Sequence, residues 1–420
     1  MTIPVALAQR LQDEDLLPPD HEGGGLLNVA ATVLDVLGLR DADDPPPLVE
    51  LDPALRNGVR DIVVILADGL GWDQLHALRS ARALPFIGSL MARAERRDGA
   101  QLMRATTIFP STTTAAITTV NTARTPQEHG NLAYFTWLEE FGAVTQMLRW
   151  GPAVQRRGSF FDDTAVDPRA YVKVGSIHAR AQARGIRTFI VEPEIFRHEA
   201  MTRMHAAEAD LRGYLLSSTM GVRLGELLNE RQSAAAAAYV YAYWSGVDAA
   251  AHQYGPGSRE EAAEAAALDL ALSRAFATER DGRTLVVLTA DHGHALVDPD
   301  RLIDLEGDAE LRSLLRNPLA GEPRCVFIHT DHPDEVRRHL DERYPGAFAL
   351  FDRDELIAAG LFGRGDTALV RSRVGEVCAF PRGDRGATVV RVDGQVVLHR
   401  GSHGGMSPAE MLIPVLAWRV

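Results

Sequence analysis

The chain has 420 residues, 46% of them hydrophobic and 24% charged, with a formal net charge of −13 at pH 7. This length exceeds one small domain, so two lobes or one large α/β core with an insertion is expected. No basic run offsets the acidic balance, which excludes an extended nucleic-acid groove but not a small phosphate substrate, since bound cations reverse a local potential. The two cysteines, Cys325 and Cys378, are far apart and flanked by apolar residues, so they read as buried strand residues and not as a disulfide or thiolate metal site. The first fifteen residues lack a basic stretch and make a poor signal peptide. The longest apolar stretch, residues 234–244, is about half of what spans a bilayer. A cytoplasmic protein with no membrane partner is the expectation.

Residues 1–57 read as a lead-in, with turn chemistry at Gly23-Gly24-Gly25 and at 41–47 around a helical pattern at 26–39. An apolar run at 59–67 follows and ends in Asp68-Gly69-Leu70-Gly71. At Phe109-Pro110-Ser111-Thr112-Thr113-Thr114, four consecutive hydroxyl residues open a predicted helix ending near Asn121. Further short apolar runs lie at 188–191, 238–243 and 285–289, as for strands buried on both faces of a parallel sheet. Residues 258–278 form a predicted helix that opens with the Ser258–Glu261 capping-box pair. Strands alternating with helices predict an α/β fold whose largely parallel central sheet is flanked by helices. The rhythm breaks at 296–400, where a strand at 324–330, a helix at 333–344 and a hairpin at 388–400 turning at Asp393-Gly394 suggest a smaller inserted α+β lobe. The core then comprises 58–295 and 401–420.

Three of the four apolar runs lead into a carboxylate motif: Asp68, Asp248-Ala249-Ala250-Ala251-His252, and Asp291-His292-Gly293-His294. Ligands of open α/β sheets bind beyond the carboxyl ends of the strands, so these groups can meet in one cleft. Each has a plain alternative. Asp68 can be a turn aspartate. Asp248 and His252, four apart on one helical face, make either a surface pair or a divalent-metal pair. Asp291 and His292 serve one metal only if the strand has ended, which Gly293 supplies. His294 reads as an ordinary loop histidine or as a group behind a ligand. His403, in Gly401-Ser402-His403-Gly404-Gly405 ahead of the apolar run 411–418, is an imidazole on a flexible turn, better suited to ligation than to packing. The hydroxyl run is an N-cap with spare threonines or a nucleophile, because a helix N-terminus and a divalent cation both favour an alkoxide.

In this order the motifs resemble the alkaline phosphatase superfamily, and within it the type I phosphodiesterase/nucleotide pyrophosphatase branch, over residues 60–418. The resemblance implies Thr113, the fourth position after Phe109, as nucleophile. His129-Gly130 is a second anchor for that register, although the threonine run leaves Thr112 adjacent. It implies two divalent ions: one held by Asp68, Thr113, Asp291 and His292, the other by Asp248, His252 and His403. Carboxylates and imidazoles suit zinc, with manganese as the alternative. The implied substrate is a small phosphate ester, nucleotides included, cleaved through a covalent phospho-threonine. Nucleotide-cleaving members carry an asparagine where Tyr134 stands here. Tyr134 and the offset Asn131 are therefore the candidate substrate-binding groups.

Within the superfamily, a phosphomonoesterase is the main rival and would need a cation such as Arg104 or Arg149 for the extra phosphate charge. A sulfatase lacks its cysteine, and a phosphosugar mutase would need a long insertion after Ser111. From another class, a non-catalytic binding protein retaining the fold would have shed ligands, whereas all seven implied metal-site residues are present.

Overall fold

The computed structural model describes residues 3–154, 167–206, 208–397 and 399–420. Its central sheet has seven strands in the spatial order Ala100–Thr106, Leu412–Arg419, Thr284–Thr289, Asp61–Ala67, Ala238–Trp244, Arg187–Val191 and Asp210–Leu211. The last five pair in parallel, and Leu412–Arg419 runs antiparallel to both its neighbours. The strands Asp61–Ala67, Ala238–Trp244 and Thr284–Thr289 are buried along their whole length. Their continuous apolar runs follow from that two-sided cover. The fold is α/β with a mostly parallel central sheet flanked by helices.

Register places the chemistry. Ala67 pairs with Trp244 and Leu66 with Thr289, so the three central strands end level. The Asp68 amide donates to the Trp244 carbonyl at 2.8 Å and the Asp248 amide to the Asp68 carbonyl at 3.0 Å, which ties two carboxylates to one ledge.

The second sheet is antiparallel, in the order Phe348–Asp352, Val377–Pro381, Cys325–Ile328, Ala320–Glu322, Phe135–Leu138, Ala143–Gln146 and Gly151–Pro152. Three of its strands precede residue 296. The smaller lobe is thus not confined to 296–400: Gly321 pairs with Phe135 and recruits the 135–152 segment as well. Both cysteines are buried in its strands, as free thiols. The expected hairpin is present but short, Arg391–Val392 against Gln395–Val396, and Leu398 in its second arm lies outside the described residues.

Residues 3–57 are more than a lead-in. Helix Leu26–Val36 buries Leu26, Leu27, Val29, Val33 and Leu34 in the main core. Helix Val5–Asp13 places Leu7 and Leu11 in the apolar cluster of the second sheet, beside Phe351 and Phe380. Their alternation with polar residues concealed this role, because the helix is amphipathic and packs on one stripe only. Among the described residues, no helix is long and apolar enough to cross a membrane.

Candidate active site

Asp68, Asp291 and His292 converge where the central strands end. All three are buried. His292 Nε2 lies 3.5 Å from Asp68 Oδ1, 3.3 Å from Asp291 Oδ2 and 3.1 Å from Thr113 Oγ1. Among the described residues, neither of those two carboxylate oxygens has a hydrogen-bond partner. His292 Nδ1 faces the Gly293 carbonyl at 3.1 Å. A carbonyl only accepts, so in the neutral ring Nδ1 carries the proton and Nε2 presents a lone pair. Two carboxylate oxygens and one imidazole lone pair therefore point at a common volume without a donor that satisfies all three. Buried acceptors arranged so are costly unless a cation joins them. Burial, with like charge from Asp248 and Asp291, pushes the Asp68 carboxyl well above its ordinary range. Tyr243 supplies one donor, its hydroxyl bonding Asp68 Oδ2.

A second donor group adjoins the first. Helix Gly246–Tyr254 sets Asp248 and His252 on one face, with His252 Nε2 3.3 Å from Asp248 Oδ1. Pairing of Gly401–Ser402 with Ala295–Leu296 brings His403 to them, its Nε2 3.2 Å from His252 Nε2. Nδ1 of His252 faces the Gly401 carbonyl at 2.8 Å and Nδ1 of His403 faces that of Ser111 at 2.9 Å. Both rings thus turn Nε2 lone pairs toward each other, an arrangement that a cation between them would favour. The His292 and His403 rings stack at 3.6 Å between centroids, so the two groups lie side by side. Burial disfavours the charged form of Asp248, but His252, the His294 bond and His403 outweigh it and hold its carboxyl well below the usual range. Three overlapping triads have a metal-binding arrangement: Asp68–Asp291–His292, Asp248–His252–His294 and Asp248–His292–His403.

The hydroxyl run divides its labour. Ser111 Oγ donates to the Gly405 carbonyl at 2.7 Å and accepts from the Gly404 amide at 3.0 Å, which staples the loop to the His403 turn. Thr112 occupies the N-cap position of helix Thr113–Thr122, yet its hydroxyl donates to Glu322 Oε1 at 2.6 Å instead of capping. Thr113 is the first helical residue, and its hydroxyl is the one that reaches His292. Glu322 also accepts from the Tyr134 amide at 2.6 Å. Burial pushes its carboxyl up to about 8. Gly404 has φ +110°, and a Cβ there would lie 2.3 Å from Glu322 Cβ, so only glycine lets the two loops close on the glutamate.

Beside the donors lies a cavity of about 270 Å³ lined by Tyr134, Arg149, Glu192, Phe196, His205, Tyr241 and Tyr243 among others. Tyr134 faces this cavity and its hydroxyl accepts from Gln146. Asn131 does not reach it. Its side chain is buried and donates to Thr118 Oγ1 at 3.1 Å and to Met201 Sδ at 3.6 Å, so its expected substrate contact is replaced by an interior one. His129 is likewise interior, on Thr119 Oγ1 at 3.0 Å. Arg104 is exposed on the edge strand Ala100–Thr106 and is not among the cavity-lining residues, whereas Arg149 is.

His294 is no ordinary loop histidine: its Nε2 sits 2.9 Å from Asp248 Oδ1 and its ring is buried. Glu322 and Tyr243 also escaped sequence reasoning. The Tyr239-x-Tyr241-x-Tyr243 alternation was a visible signal for Tyr243, since every second residue of a strand shares a face. Glu322 left no such trace, because it comes from the other sheet.

Comparisons with known proteins give the family and the fold. No curated protein sequence matches the chain. Among solved structures, murine ectonucleotide pyrophosphatase/phosphodiesterase 5 superposes with a TM-score of 0.61 at 16% identity, over 85% of this chain and 87% of that one. An inactive threonine-to-alanine form of the murine protein, solved with AMP, gives 0.59 at 16% identity over the same shares. Phosphonoacetate hydrolase from Sinorhizobium meliloti 1021, with phosphonoformate, gives 0.60 at 15% identity, over 86% and 90%. The family model for type I phosphodiesterase/nucleotide pyrophosphatase matches residues 62–405, and the chain belongs to that family.

Proposed function

We propose that this chain is a two-metal phosphodiesterase or nucleotide pyrophosphatase that cleaves small phosphate esters through a covalent intermediate on Thr113. The observation behind this reading is the pair of adjoining donor groups, with unpartnered Asp68 Oδ1 and Asp291 Oδ2 beside the Thr113 hydroxyl. Asp68, Asp291, His292 and Thr113 would hold one ion, and Asp248, His252 and His403 the other. Imidazole and carboxylate donors without thiolate suit zinc, with manganese as the alternative. Bound there, divalent ions supply Lewis acidity to the phosphoryl oxygens and favour the ionised hydroxyl.

The protein's own residues do the rest. Thr113 opens a ten-residue helix, whose N-terminal dipole favours negative charge on its oxygen. Thr113 Oγ1 attacks phosphorus in line, forming an ester bond as the leaving-group oxygen departs, and water then cleaves the phospho-threonine. Glu322 fixes Thr112 and the Tyr134 amide, and so the start of the nucleophile helix. The cavity at Tyr134, Tyr241 and Tyr243 takes the leaving group. Thr113 is favoured over Thr112 because the Thr112 hydroxyl is committed to Glu322. The structural neighbours support a small phosphate or phosphonate ligand, since those solved with AMP and phosphonoformate share the fold.

Rates on bis(p-nitrophenyl) phosphate and p-nitrophenyl phosphate test the reading. The diester should be preferred, and Thr113→Ala should lose at least about 10³-fold in kcat on it. Full activity in Thr113→Ala removes the nucleophile. A monoester preference makes the chain a phosphomonoesterase, with Arg149 as the cation that faces the cavity.

A further inference from the structure

A tetrahedral zinc with bonds of about 2.0–2.2 Å holds its donor atoms about 3.3–3.6 Å apart. The distances around Asp248 Oδ1 straddle that range: 2.9 Å to His294 Nε2, 3.3 Å to His252 Nε2 and 3.8 Å to His403 Nε2. His252 and His403 Nε2 are 3.2 Å apart. Asp248, His252 and His294 form one of the triads whose donor atoms all lie within 4.8 Å of one another. Three imidazole nitrogens thus lie within 3.8 Å of one carboxylate oxygen.

Two further observations concern His294 itself. Its Nε2 faces Asp248, which leaves Nδ1 to carry the proton of a neutral ligating ring; among the described residues that Nδ1 is buried without the carbonyl partner that His252 and His403 each have. Its ring lies 4.9 Å from that of His252 and 5.3 Å from that of His403, perpendicular to both, so it closes the remaining side of the group. The backbone also makes room for it. Gly69 has φ +74°, and a Cβ there would come within 2.8 Å of both His294 Nε2 and the Asp248 Cα.

We infer that His294 is a direct ligand of the ion at Asp248, which makes that site a set of three imidazoles and one carboxylate. This rests on the two-ion reading above. A complete set of four protein donors resembles a closed structural site more than a catalytic one with an open position. Asp248, His252, His294 and His403 would then hold an ion more tightly than three donors would.

Affinity alone does not test this, because losing a partner that merely orients a ligand also weakens a metal site by about 10- to 100-fold. The full chain loaded with Co²⁺ gives a sharper readout. In its proton NMR spectrum each ligating histidine contributes one hyperfine-shifted, exchangeable ring N–H signal. Wild type should show one each for His252, His292, His294 and His403, and His294→Gln should lose one and keep the rest. Should His294→Gln fail to fold, ¹⁵N-histidine labelling of wild type provides the same count. Identical shifted signals in the two proteins, or a labelled wild type without a His294 signal, overturn the assignment: His294 then only orients Asp248. Uptake of a single Co²⁺ by wild type would overturn the two-ion reading first, whereas two ions with no His294 signal would overturn this inference alone.

Discussion

Tyr243 links two buried carboxyl groups in different surroundings: its hydroxyl donates to Asp68, and it lines the cavity that Glu192 also lines. Burial raises the proton affinity of both. It pushes Asp68 well up, with Asp248 and Asp291 adding like charge, and it lifts Glu192 to about 7 against the pull of its Thr202 hydrogen bond. Asp68 stands among further carboxylates and an imidazole lone pair, so the whole group calls for a cation. Glu192 accepts one hydroxyl at 3.0 Å and needs only its own proton. Crowded acceptors mark a metal position, while a lone buried acid marks a ligand pocket.

Substituting each acid by its amide is the strongest way to break this contrast. Asp68→Asn should lose the ion nearest Thr113 and about 10³-fold or more in kcat, read by metal analysis and diester hydrolysis. Full metal content and near-normal turnover in Asp68→Asn would make it the turn aspartate of the plain alternative.

Metal removal sharpens the same point in the unmodified chain. Chelation should lower the unfolding midpoint by a few degrees, since an ion at a thousandfold excess over its Kd contributes about 4 kcal/mol. In the metal-free protein the folded pKa of Asp68 lies above its unfolded value. Its contribution is then present at low pH and is lost as pH rises past the ordinary carboxyl range. Thermal melts with and without chelator should therefore diverge as pH rises. Superimposable melts at every pH would show that no ion stabilises the fold.

Glu322 lies between these cases, an acid with a lifted pKa that holds two donors and is not itself in either metal group. Glu322→Gln keeps an acceptor for Thr112 and the Tyr134 amide and should retain kcat within about threefold. Glu322→Ala strands both donors and should cost about 10- to 100-fold through misplacement of the nucleophile helix. Equal losses in the two variants would show that the charge matters and that holding the two donors does not.

Much of this was legible in the sequence, and the exceptions are instructive. Residues 59–67, 238–243 and 285–289 showed themselves as strands because burial on both faces demands continuous apolar runs, and their ends carried Asp68, Asp248 and Asp291. The 135–152 strands did not show, because Phe135–Leu138 and Ala143–Gln146 alternate weakly and pair with Ala320–Glu322 far along the chain. Asn131 could be placed near the nucleophile by spacing, but spacing says nothing of side-chain direction, and the structure turns it onto Thr118. Glu322 was illegible for a similar reason: its partners, Thr112 and Tyr134, lie about two hundred residues away, and only the docking of the two sheets joins them.

The smallest expected effect concerns Glu192 alone and reads the proton side of the contrast directly. Its folded pKa of about 7 lies above the ordinary carboxyl value of 4.5, so the folded state binds the extra proton between those limits. Stability from this group is complete below pH 4.5, falls as pH rises to about 7 and is flat beyond. Glu192→Gln mimics the protonated acid and removes that slope. At pH 5 the variant should match wild type, and at pH 8 it should be more stable by on the order of 2 kcal/mol, read from urea midpoints at the two pH values. A variant equally shifted at both would mean that Glu192 is ionised throughout. A cation from the solvent or the cavity mouth would then have to neutralise it, and Asp68 and Glu192 would no longer differ in kind.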